Sequence, residues 1–69
     1  MEPHQQRVID EQIELNERLT KLSAFIASSP VFESLSVLER QRLKEQEYHM
    51  TQYLNVLGRR IAAFGDPNA

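Results

Sequence analysis

The chain has no cysteine and no tryptophan, and only two glycines and three prolines among 69 residues. Without cysteine there is no disulfide to brace a small fold, no thiolate for a structural metal and no thiol nucleophile. The same absence fits a reducing compartment, and a cytoplasmic location is expected. No apolar run approaches the roughly 18 residues needed to cross a bilayer, so a soluble chain without a membrane partner is expected. The first residues, Met1-Glu2-Pro3-His4, show no basic stretch followed by an apolar one; they read as a mature start without a secretory signal.

Positive charge is also scarce. Eight Lys and Arg stand against ten Asp and Glu, a formal net charge of -2, which argues against a polymer nucleic acid as partner because the phosphate backbone demands an excess of cations. A small anionic ligand needs only a local cluster and stays open. Catalytic constellations are missing: the two histidines, His4 and His49, lie 45 positions apart, and neither an HExxH pair nor a glycine-rich phosphate loop occurs. The Glu residues fall at exposed helical positions, away from where a carboxylate metal site in a bundle core would need them. We expect no enzyme, no metal and no cofactor.

What is present is periodicity. Val8, Leu15 and Leu22 in the first half, and Leu43, Met50, Leu57 and Phe64 in the second, recur every seven residues. Leu19 and Ile26 widen the first row, and Leu54 and Ile61 the second. This is the pattern of helices packed along one face, and it predicts an all-α fold: an antiparallel hairpin of two long helices forming one domain over residues 1–69. Pro3 suits the first helical position, and no further Gly or Pro intervenes before Ser28, so the first helix is placed at residues 3–28. Ser28-Ser29-Pro30 breaks it. The connection, 29–36, carries Val31, Phe32 and Leu35, apolar residues able to plug the closed end around a short helical turn. Ser36-Val37-Leu38-Glu39 matches a capping box, starting a second helix at 37. That helix should run to Phe64, where Gly65 can take a left-handed conformation and Pro67 forbids continuation, leaving 65–69 as a tail. A connection this short makes the helices neighbours, so facing residue numbers should total about 65.

Two helices cannot enclose a core, and below roughly 70–80 residues a lone core seldom supplies more than about 3–5 kcal/mol. With disulfides and thiolate metals excluded, self-association is the remaining supplement. Ile9 and Ile13 lie off the main row as a second apolar strip; oligomer contact is the preferred use, a broad hairpin face the other.

The facing rule gathers His4, Arg7, Arg59 and Arg60 at one end, where the N-terminal dipole of the first helix favours an anion. The dipole of the second helix end opposes this, and Glu2, Asp10, Glu11 and Asp66 offer ordinary ion-pair partners. Gly58, inside a helix at a cost of about 1 kcal/mol relative to Ala, admits either a close backbone or ligand approach or simple tolerance at an exposed site. Arg18 and Lys21 sit midway along the first helix with Glu14, Glu17 and Glu47 in reach; Lys21, beside Leu22, stands where a neighbouring subunit can cover its stem. Tyr48 and Tyr53 flank the second row, a spacing commoner in cores and interfaces than in base-stacking platforms.

The run His4-Gln5-Gln6-Arg7-Val8-Ile9-Asp10-Glu11, followed by Leu15, Leu19, Lys21-Leu22, Phe25-Ile26, Leu57-Gly58, Arg60-Ile61 and Phe64, resembles the phage anti-CBASS sponges and the hairpin domain of the related anti-Thoeris sponges. The resemblance spans nearly the whole chain, mostly through helical framework. It implies a compact homo-oligomer, hexameric in that family, that holds cyclic dinucleotides, and cyclic trinucleotides as a second class, between protomers without cleaving them. Lys21 looks like the family's phosphate-contacting lysine, and Arg60 like the late cation of a further cyclic-oligonucleotide site. His4, Gln5, Gln6 and Arg7 match the polar start of the first helix, where members often carry a stacking aromatic and this chain has Gln5 and Gln6. The competing expectation is an interaction module that dimerises or docks on another protein through Ile9, Ile13 and the second row, with no nucleotide ligand.

Overall fold

The computed structural model describes residues 1–66 and Asn68. Its elements are α1 (Pro3–Ser28), α2 (Pro30–Ser34) and α3 (Val37–Ala62), with no strand among the described residues. Pro3 opens α1 where its missing N–H costs nothing, and the Glu2 N–H donates to Gln5 Oε1 at 3.0 Å. At the break, Ser29 serves two helices. Its N–H donates to Phe25 O at 3.1 Å, closing α1, and its Oγ accepts from Val31 N–H at 3.2 Å, opening α2.

Ser36 caps α3 by accepting the Glu39 N–H at 3.1 Å. The expected reciprocal half of that capping box gives way to a different pairing: the Glu39 carboxylate takes Arg42 Nη1 at 3.0 Å. A guanidinium one turn along the helix offers a charge-assisted bond that a backbone N–H does not match. At the other end, α3 stops at Ala62, two residues short of Phe64. Ala63 N–H is shared by the Arg59 and Arg60 carbonyls, Phe64 N–H returns to Ile61 O, and Gly65 takes the left-handed φ of 86° expected of it. Pro67, expected to bar continuation, lies outside the described residues.

The apolar rows face each other. Val8, Leu15 and Leu57 form the core, with Met50, Leu54, Ile61 and Phe64 packed against it. Of the residues expected to plug the closed end only Phe32 is buried, its ring edge-on to Phe25 with centroids 5.9 Å apart; Leu35 is half-buried and Val31 exposed. Tyr48 and Tyr53 are exposed, outside the core.

The register falls near the expectation. Leu57 shares the core with Val8 and Leu15 and Gln12 lies beside Gly58, so the numbers brought together total between 65 and 72. Val37 and Leu38 project into solvent, at 59% and 62% exposure.

Candidate functional site

His4 and Arg7 in the first turns of α1 and Arg59 and Arg60 in the last turn of α3 lie along the same half of the hairpin, all exposed. Gln5 is half-buried and spends its Oε1 on the start of α1. Gln6 donates from Nε2 to Asp10 Oδ1 at 3.0 Å, which leaves its own oxygen open.

Lys21 is exposed on α1, next to the half-buried Leu22. At about 100° per residue, Arg7, Glu14, Arg18 and Lys21 share one strip of α1, and Arg60 falls on the edge of α3 next to that strip. Arg7 and Lys21 are 14 residues apart, a rise of about 21 Å.

The cations are unspent. Among the described residues the ion pairs are Arg42 with Glu39 and, if protonated, His49 with Glu45. Among the described residues Arg7, Arg18, Lys21, Arg59 and Arg60 have no carboxylate at ion-pair distance, although Glu14, Glu17, Glu47, Asp10, Glu11 and Asp66 were all available by sequence. Arg40, half-buried near the closed end with its Nε unpartnered, is a further cation that spacing did not single out.

The opposite side of the hairpin is different in kind. Gln12, Ile13, Asn16 and Leu54 line a shallow, open groove of about 270 Å³ between α1 and α3, with Gly58 beside it. No charged side chain lines it. Asn16 lies about 180° around α1 from Arg7 and about 140° from Lys21, so the neutral groove and the cationic strip look in different directions. Sequence reading named Ile13 but passed over Gln12 and Asn16. Their i, i+4 spacing beside the apolar row was the available signal.

Among the described residues no three His, Asp or Glu side chains group as a metal site, and no helix is long and apolar enough to cross a membrane. Fold and surface together define a small all-helical hairpin protein with one cationic edge and one neutral groove. The chain belongs to the Sequestin family, whose model matches residues 2–63. No curated protein and no solved structure matches it.

Proposed function

We propose that this chain is a sequestering protein, which binds cyclic di- and oligonucleotide messengers between copies of itself and holds them without cleavage. In a phage-infected cell it would act in the host cytoplasm, denying a CBASS-type defence its signal. The observation that carries this reading is the set of exposed cations, Arg7, Lys21, Arg59 and Arg60, with no carboxylate partner among the described residues. Membership of a family whose name speaks of sequestration supports it.

A cyclic dinucleotide presents two phosphates. Lys21 offers a compact point charge to one, and Arg7 a planar fork that grips two oxygens at once. The complete cradle is a property of the assembly, a homo-oligomer for which six copies is the preferred number. His4, Gln5 and Gln6 line the start of α1 as neutral donors and acceptors for base edges, and Arg59 and Arg60 serve a second, larger cyclic ligand. No residue acts as nucleophile or general base in this scheme, so the protein turns nothing over.

The test is a thermal-shift panel of cyclic di- and trinucleotides alongside the native mass of the particle. Preferential binding to the folded state raises the melting temperature, by an amount equivalent to about 2.7 kcal/mol when ligand is at a hundred times its dissociation constant. The bound ligand should be recovered intact after heat denaturation. A linear product, or no shift with any cyclic nucleotide, overturns the reading. The second reading, a hairpin that only docks on proteins, is favoured by one observation, the 53% exposure of Ile13; it predicts assembly with no nucleotide-dependent shift.

A further inference from the structure

We propose that Tyr53 is the stacking platform for a base of the ligand that Arg60 holds, so that one strip of α3 carries a ring, an apolar step and a cation. This assignment rests on the proposed function and deepens it. It names the residue that receives a base, the part of the ligand for which the polar start of α1 offers no ring.

The strip follows from helix geometry. Seven residues bring Arg60 to within about 20° of Tyr53 around α3, about two turns and 10.5 Å further along, and Val56 stands between them, one turn from each. All three are exposed, Tyr53 at 44% and Val56 at 41%. Gly58, beside the neutral groove, lies about 140° around α3 from Tyr53. The strip therefore belongs to the other edge of α3, the one that borders Arg7, Glu14 and Arg18 on α1.

The chemistry along the strip selects the occupant. Elsewhere the exposed and buried rings are paired, Phe25 edge-on to Phe32 and Tyr48 edge-on to His49, whereas the Tyr53 ring has no aromatic neighbour among the described residues. Arg60 has no carboxylate at ion-pair distance among them either. A lone phosphate would use Arg60 and leave the ring idle. An apolar protein surface would cover Tyr53 and Val56 and strand the guanidinium beside them. A nucleotide uses all three, its base stacked on Tyr53, its sugar against Val56 and its phosphate on the Arg60 fork. Because every base has a π-face, such a stack adds affinity and leaves the choice of base to other groups. Tyr48 supplies the internal comparison: it is 60% exposed on the same helix, but about 120° around it from Arg60.

Calorimetric titration of cyclic triadenylate into the intact chain tests this, with circular dichroism and native mass recorded for each variant. Tyr53→Leu keeps apolar bulk but removes the π-face, and should weaken binding by about fivefold to a hundredfold, the range of one base–aromatic stack. Tyr53→Phe keeps the ring and should stay within a factor of about two. Tyr48→Leu should bind as wild type does. The chain has no tryptophan and two tyrosines, so Tyr48→Leu leaves Tyr53 as the sole emitter, and its fluorescence, corrected for ligand absorption, should fall on saturation. A loss in Tyr53→Leu smaller than about fivefold, an equal loss in Tyr53→Phe, or unchanged Tyr53 emission overturns the assignment. So does a reduced particle mass in Tyr53→Leu, which would put the ring between copies rather than under a base. In each of these cases wild type still binds the nucleotide and the sequestering role stands. A wild type that binds no cyclic nucleotide removes that role, and the stacking with it.

Discussion

Gln12 and Gly58 stand across the hairpin from each other with space between them: a methyl group added at Gly58 would lie 3.8 Å from Gln12 Nε2, an ordinary contact. Nothing within a single chain therefore requires glycine there. Gly58→Ala should stabilise the dilute chain by up to about 1 kcal/mol, the difference in helix propensity, seen as a higher urea midpoint.

Leu57 is the most deeply buried side chain, at 1% exposure, and it packs with both Val8 and Leu15. Leu57→Ala removes its methyl groups and leaves a cavity, at a cost of about 2–5 kcal/mol. A core this small supplies only about 3–5 kcal/mol, so the variant is expected to lose most of its helical circular dichroism at low micromolar concentration. Raising the concentration should recover part of it, since association stabilises whatever it binds.

The helices were legible because their signals are local. Seven-residue recurrence of Val8, Leu15 and Leu22, the Ser29-Pro30 break and the Ser36 hydroxyl each act within a turn or two of their own position, and Gly65 needs only its own backbone freedom. The closed end was not local, because it depends on Phe32 turning under Phe25, a contact that periodicity does not encode. Partner choice was equally hidden: Glu39 had both Ser36 N–H and Arg42 within reach, and only side-chain geometry decides for Arg42. For the candidate site, residue types could be read but grouping could not.

Phe32 is expected to hold the closed end through its ring contact with Phe25. Phe32→Ala forfeits burial of a ring at 6% exposure and an edge-to-face pair, together about 3–5 kcal/mol. The loss should concentrate where the ring sits. Hydrogen exchange is the appropriate measurement, with amides of residues 31–35 losing protection before those around Leu15 and Leu57. Uniform loss along the hairpin would mean that α2 is an integral part of the core rather than a lid on its end.

The ligand cradle makes the sharpest demand, because Lys21 and Arg60 are assigned to different ligands. With Arg60 near the level of residues 5–12, the two residues are separated by at least about 13 Å along the hairpin, and distant sites with no shared partners act independently. Lys21→Ala is expected to weaken cyclic dinucleotide binding at least tenfold, while binding of a cyclic trinucleotide stays within a factor of about two. Arg60→Ala should show the opposite selectivity. Arg60→Lys then discriminates charge from shape: it keeps the cation but loses the fork, so a phosphate gripped through two oxygens is held more weakly, and one attracted only by charge is not. Calorimetric titration of both ligands into the three variants gives the answer. Equal losses for both ligands in every variant would place Lys21 and Arg60 in one shared pocket, which two chains laid side by side can build and one chain cannot.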